Sequence, residues 1–283
     1  MRRTLLGLLV AALLGAVGVL APGAQAAQRP LQIYPLGDSI TYGTSFPAST
    51  PGGYRGVLHA LLDAEGVPHA FVGAQNGNPS PLLTRDAQDR HDGHPGYLID
   101  QVTRGLTGAS GGGTDGGGRW LLGRGTRAPI SPDVVLVHLG TNDIIRGYDP
   151  GTRYPTGTGK PDLASPQQRA LFVAHMTGRL RTLLDTLHRY RPRATVVVAT
   201  VLPIGFGACD PVTPEYARSV QRLVEEQRAA GRPVRVADAF AAFADIGPTG
   251  CTIRPGMLSD TVHPTAAGYA LLGRVFEGAM QAR

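Results

Sequence analysis

The stretch Asp133-Val134-Val135-Leu136-Val137-His138-Leu139-Gly140 narrows the possible folds of this chain more than any other. A strand with one face in water alternates polar and apolar residues. This run is almost continuously β-branched or Leu, so it reads as a strand covered on both faces, as in a parallel sheet between two helical layers. Thr195 to Val201 has the same character. Leu31 to Leu36, His69 to Gly73 and Val234 to Ala237 are shorter apolar runs that read as further strands.

Between these runs the spacing turns helical. Val57, Leu58, Leu61 and Leu62 form one face of a helix from Gly53 to Glu65, which Gly66 ends. Tyr97 to Leu106 reads as a short helix. Ser165-Pro166-Gln167-Gln168 has the form of a capping box with Pro at the first helical position. It opens a long helix through Leu171, Leu180, Leu183, Leu184 and Leu187 to Tyr190. Thr213-Pro214 caps a helix to Gln227, and Thr265 to Met280 is the last. Strands alternating with helices give an α/β fold, a three-layer α/β/α sandwich around a five-stranded parallel sheet with right-handed crossovers. Ala74 to Pro95 and the stretch before Thr265 are expected to be irregular, and 146–164 reads as a Gly/Pro-rich loop.

At the N-terminus, Arg2 and Arg3 precede the apolar run Leu5 to Leu20, and Ala24-Gln25-Ala26 follows as an A-x-A cleavage site. The run is too short, and too interrupted by Gly7, Gly15 and Gly18, for a membrane anchor. Residues 1–26 therefore read as a secretory signal peptide and 27–283 as a single domain. The net charge is +6, and loss of Arg2 and Arg3 leaves +4. The arginines are scattered and Lys160 is the sole lysine, so no basic stripe points to nucleic acid. Cys209 and Cys251 are an even pair in an exported chain, which suggests one disulfide; two buried thiols are the alternative.

Loops at the C-terminal ends of parallel strands converge on one edge, where ligands bind. Three polar stretches belong there: Gly37-Asp38-Ser39 after the first strand, Gly140-Thr141-Asn142-Asp143 after the third, and Asp260-Thr261-Val262-His263 just before the last helix. Each alone fits an ordinary turn or cap. Together they supply what acyl transfer through serine requires. Ser39 is a nucleophile, His263 a base, and Asp260 a group to orient that base. The Asn142 amide, with the backbone N–H of Ser39 and one near Gly96, can meet a developing oxyanion.

In the order Ser39, Gly96, Asn142, Asp260-x-x-His263, these blocks resemble the SGNH (GDSL-type) hydrolase superfamily over Leu31 to Met280. The resemblance implies a flavodoxin-like sandwich and a serine esterase that uses no metal or cofactor. By that match Ser39, His263 and Asp260 are catalytic, and Ser39, Gly96 and Asn142 form the oxyanion hole. Gly37-Asp38-Ser39-Ile40-Thr41, Gly53-Tyr54-Arg55 and His91-Asp92-Gly93-His94-Pro95-Gly96-Tyr97 look most like carbohydrate esterase family 3, which includes acetylxylan esterases. Asp38, His94 and Tyr97 then become candidate substrate contacts. The expected partner is an acetylated polysaccharide or a small acyl ester. No nucleic acid, no membrane association after signal removal and a monomer complete that expectation.

A GDSL-type lipase or broad acyl-esterase shares the chemistry, and a carbohydrate-binding protein that keeps the fold without catalysis is a third reading. His91, Asp92 and His94 carry ligand atoms, but their spacing matches no zinc signature. The Gly-rich segment 105–125 lacks a phosphate-loop pattern and reads as a surface insertion. Its Trp120 suits a local cluster better than stacking on a sugar. His59, His69, His138, His175 and His188 fall on helices and strands and read as structural.

Overall fold

The computed structural model describes residues 29–108, 118–147, 163–248 and 250–282. The expected signal peptide, residues 109–117 of the Gly-rich segment and most of loop 146–164 lie outside the described residues. The central sheet runs β2 (His69–Phe71), β1 (Leu31–Gly37), β4 (Val134–His138), β5 (Thr195–Ala199) and β6 (Val234–Ala237), all parallel. A sixth, two-residue strand, β3 (Asp92–Gly93), pairs with the C-terminal end of β1 on the same side as β2.

The apolar runs do what their lack of alternation requires. Tyr34, Leu36, Val135, Val137, Val196 and Val198 point into one core, with Phe172, Leu180 and Leu184 of α6 (Pro166–Tyr190) and Val220 and Leu223 of α7 (Val212–Ala229). Ile33, Val134, Leu136, Val197 and Ala199 point into the other, with Leu58 and Leu62 of α2 (Gly53–Ala64) and Leu272 and Phe276 of α9 (Ala266–Gln281). Successive residues of each strand thus serve opposite layers. Each fully buried Leu, Val or Phe contributes roughly 1.5–3 kcal/mol.

Several local expectations change. The stretch 74–95 is not structureless: it holds α3 (Pro81–Arg85), capped by Ser80, and β3, and Gln75 and His91 exchange backbone hydrogen bonds. The stretch after β6 holds α8 (Ala239–Phe243), capped by Asp238, and a hairpin of β7 (Ala244–Gly247) and β8 (Gly250–Ile253). A hairpin this short and half exposed carries too few apolar residues to show a period. The capping box at Ser165 is half made: its Oγ accepts from the Gln168 N–H, but Gln168 Oε1 has no partner. Leu171 is exposed. Helix α7 starts at Val212, and the side-chain acceptor at its start is Asp210, not Thr213.

Cys209 and Cys251 form a disulfide that ties the loop before α7 to β8. Trp120 is fully buried beside α4 (Ile99–Thr107), which rules out the sugar-stacking role.

Candidate active site

The first block leaves β1 at Gly37, where no other residue fits. A Cβ there would lie 2.2 Å from Thr41 Oγ1 and 2.5 Å from the His138 carbonyl oxygen. Asp38 Oδ1 accepts the Ile40 N–H at 2.9 Å and caps α1 (Ser39–Tyr42), a single turn whose first residue is Ser39. The Ser39 N–H is therefore among the unpaired donors at a helix start.

Three strand ends stand in register: Gly37 pairs with Gly93 of β3 on one side and His138 of β4 on the other. Ser39, Gly96 and Asn142 follow these ends by two, three and four residues, so the three blocks leave the sheet side by side with Ser39 in the middle. The His94 N–H donates to the Gly37 carbonyl at 2.9 Å. Asn142, on α5 (Thr141–Arg146), donates one amide hydrogen to the Tyr97 carbonyl at 3.1 Å and keeps the second. Gly96 has φ +80°, a conformation that suits glycine and turns the chain between His94 and Tyr97.

The fourth block is a turn before α9. Ser259 donates to the His263 carbonyl through both its N–H (2.7 Å) and its Oγ (3.0 Å), which closes the turn. Asp260 Oδ1 accepts the N–H groups of Val262 (2.8 Å) and His263 (2.6 Å). Its Oδ2 lies 2.8 Å from His263 Nδ1, and His263 Nε2 lies 3.0 Å from Ser39 Oγ. Burial pulls the Asp260 carboxyl upward, but the hydrogen bonds from His263 and Val262 outweigh it and hold it below the ordinary value. An ionised carboxylate only accepts, so Nδ1 of His263 carries the hydrogen and Nε2 presents its lone pair to the Ser39 hydroxyl.

Asp38, His94 and Tyr97 do not line this opening, which corrects their reading as substrate contacts. Asp38 is fully buried as the cap of α1, and burial pushes its carboxyl up to about 7. The His94 ring stacks on Tyr97 and on Trp120, with centroids 5.0 and 4.2 Å away, and its Nε2 is 3.2 Å from Asp92 Oδ1. The Tyr97 side chain lies in the core, and it serves the site through its backbone carbonyl. These residues sit on the inner side of tight turns, which a motif match does not reveal. The candidate ligands His91 and Asp92 are likewise taken up. His91 bonds the Gly77 carbonyl and the Gly93 N–H, and Asp92 Oδ2 accepts from Tyr34 Oη and the Ala74 N–H.

Two supports had no role assigned from the sequence. Arg55 is fully buried, and its guanidinium donates to the carbonyls of Thr41, Tyr42, Gly77, Asn78 and Asp89, which pins the end of α1 to two loops. Burial lowers its pKa to about 10. The available signal was an Arg inside the apolar face of α2 with no acid one turn away. Phe46 lies beside His263, with ring centroids 5.5 Å apart, and its N–H donates to Ser259 Oγ. Nothing local marks it. Next to the Asp260–His263 turn lies a cavity of about 570 Å³ lined by Ile144, Ile145, Leu163, Ile204, Asp210 and Thr261, among others.

An α/β/α sandwich with a serine, an imidazole and a carboxylate joined in series at its C-terminal sheet edge has the form of an acyl hydrolase. Residues 83–271 match the model of the GDSL-like Lipase/Acylhydrolase family, and the chain belongs to that family. A multidomain esterase of Ruminococcus flavefaciens is 26% identical over 266 residues, covering 90% of this chain and 29% of that protein. This chain thus spans under a third of that relative's length. Among solved structures, a family 3 carbohydrate esterase of Clostridium thermocellum superposes with a TM-score of 0.61 at 22% identity, over 89% of this chain and 96% of that one. A mutant of Axe2, an acetyl-xylooligosaccharide esterase of Geobacillus Stearmophilus, gives 0.52 at 20% identity, over 89% and 95%. At these identities the two structures speak to the fold.

Proposed function

We propose that this protein is a secreted, single-domain, monomeric esterase that removes short acyl groups, above all acetyl, from plant-wall polysaccharide such as xylan. The observation that carries the mechanism is the unbroken series Ser39 Oγ, His263 Nε2, His263 Nδ1, Asp260 Oδ2, with separations of 3.0 and 2.8 Å. Ser39 Oγ attacks the ester carbonyl carbon as its proton passes to His263 Nε2. Asp260 stabilises the imidazolium so formed. The oxyanion is met by the N–H groups of Ser39 and Gly96 and by the free Asn142 amide hydrogen. Collapse expels the sugar oxygen, which takes the proton from His263. Water, deprotonated by the same nitrogen, then releases the carboxylic acid from Ser39.

Three features support the substrate class. The first 26 residues have the composition of an export signal, and the disulfide fits an oxidising compartment. Of the two solved structures that share the fold, one is a family 3 carbohydrate esterase and the other an acetyl-xylooligosaccharide esterase. Exposed Phe46 beside His263, and Phe206 at 82% exposure, offer apolar faces of the kind that pack on sugar rings. Phe206 follows Gly205, whose N–H donates to the Thr261 carbonyl. The cavity of about 570 Å³ beside Thr261 gives the lipase reading its own support, since its isoleucines could hold a longer acyl chain.

The test is acetate release from acetylated xylan by the mature chain, run beside p-nitrophenyl acetate and a long-chain ester. Ser39→Ala should remove all activity while leaving the thermal transition in place. A Ser39→Ala variant that keeps activity overturns the mechanism. Faster turnover of the long-chain ester transfers the assignment to a lipase. Xylan binding with no acetate released marks a binding protein.

A further inference from the structure

At the other end of the sheet from Ser39, two imidazoles face each other. His59 lies in α2, and His69 opens β2 and pairs with Leu31, the first residue of β1. His59 Nδ1 and His69 Nε2 are 2.8 Å apart. The outer nitrogen of each ring is already committed. His59 Nε2 is 2.9 Å from Asp86 Oδ2, and His69 Nδ1 is 2.8 Å from the Val67 carbonyl oxygen. A carbonyl and a carboxylate only accept, so both outer nitrogens carry their hydrogens. In neutral rings the two inner nitrogens are then lone pairs aimed at one point. Two lone pairs at that distance repel, so a cation belongs between them, either a third proton or a metal ion.

Three further observations favour the metal. Asp63 stands one turn along α2 from His59, on the same face, and the ligand atoms of His59, Asp63 and His69 all lie within 4.8 Å of one another. The two rings are 2% and 8% exposed, whereas Asp63 faces solvent and gives an ion a way in. The outer bonds to Asp86 and Val67 are the kind that hold a metal-binding histidine in one tautomer and one orientation.

We propose that His59 Nδ1, His69 Nε2 and the Asp63 carboxylate bind one divalent transition-metal ion, with zinc the best match to a set of two imidazoles and one carboxylate. Water completes the tetrahedron. Ligand distances of about 2.0–2.1 Å place the two nitrogens about 3.3 Å apart, so the rings open by roughly half an ångström. The ion fastens α2 to β2 far from the Ser39 site and takes no part in ester chemistry.

The experiment uses untagged protein, stripped with EDTA and dialysed, and titrated with Zn²⁺ by calorimetry and thermal unfolding. Co²⁺ serves as the spectroscopic probe. Wild type should take up one ion per chain, unfold at a higher temperature with Zn²⁺ and show the visible bands of tetrahedral Co²⁺. His69→Gln should lose all three. Asp63→Asn, at an exposed position that does not endanger folding, should weaken Zn²⁺ binding and alter the Co²⁺ spectrum while hydrolysing p-nitrophenyl acetate as the wild type does. Asp86→Asn should weaken Zn²⁺ by about 10–100-fold. Equal Zn²⁺ affinity in wild type and both ligand variants overturns the proposal. So does a wild type that gains no thermal stability, and the bridging cation is then a proton.

Discussion

At the residue scale, the proposed mechanism asks of Asp260 direction as well as charge. Its two oxygens are divided between the backbone of its own turn and His263 Nδ1. An Asn there keeps the backbone acceptor but presents NH₂ to Nδ1. That side of the ring must then accept, which places the hydrogen on Nε2, where it faces Ser39. The base is lost with the geometry intact, so Asp260→Asn should lower kcat on the order of 10³–10⁴-fold. Steady-state kinetics on p-nitrophenyl acetate check this, and a loss under tenfold would remove Asp260 from the mechanism. The three polar blocks could be read in the sequence because each needs a particular side chain. The roles of Arg55 and Phe46 could not, because their work depends on carbonyls and a ring brought from distant segments.

At the element scale, the insertion after α4 is fastened at both ends. The Arg119 N–H donates to the Gly108 carbonyl, the Trp120 N–H to Gly105 and the Leu121 N–H to Leu106. The indole of Trp120 covers Gly105 so closely that a Cβ would lie 2.2 Å from its Cη2. In a helix interior Ala is favoured over Gly by about 1 kcal/mol. Overpacking against a ring fixed by its own backbone costs about 1–3 kcal/mol. The second effect wins, so Gly105→Ala should destabilise in urea titration, and a gain in stability would show that Trp120 is free to move. The hairpin β7–β8 depends on a covalent tie. The disulfide closes a separation of 42 residues, which chain-entropy arithmetic values at about 4 kcal/mol. Cys209→Ser with Cys251→Ser should lower the denaturation midpoint accordingly, and an unchanged midpoint would show that packing of Phe240 and Ala217 holds this corner alone.

On the scale of the whole molecule, folding buries Asp38 and raises its carboxyl to about 7, first through desolvation and then through the nearby Asp143 charge, against the Ile40 N–H bond. A carboxyl whose folded pKa lies above its unfolded value of 3.8 favours the folded state at low pH, and that contribution fades as pH rises from about 4 to about 7. Asp38→Asn keeps an acceptor for Ile40 and removes the titration. Its stability relative to wild type should therefore rise between pH 4 and pH 8, by as much as about 4 kcal/mol. Parallel denaturant titrations at the two pH values check this, and a constant difference would mean that Asp38 ionises as freely in the fold as in water.

The sequence by itself determined the class of fold and the chemical groups. Runs such as 133–140 have no polar face, so they must lie between two layers, and Ser39 and Asn142 are polar where strands end, Asp260 and His263 just before the last helix. It could not show α3, β3 or the β7–β8 hairpin, which are too short to carry a period. Nor could it show that Asp38, His94 and Tyr97 face inward. Burial is decided by what packs against a residue, and for these residues the packing comes from segments far apart in the chain. The tertiary structure alone decided the register of Gly93, Gly37 and His138, which sets Ser39 between Gly96 and Asn142. It also decided the turn that brings His263 to Ser39 across 224 residues.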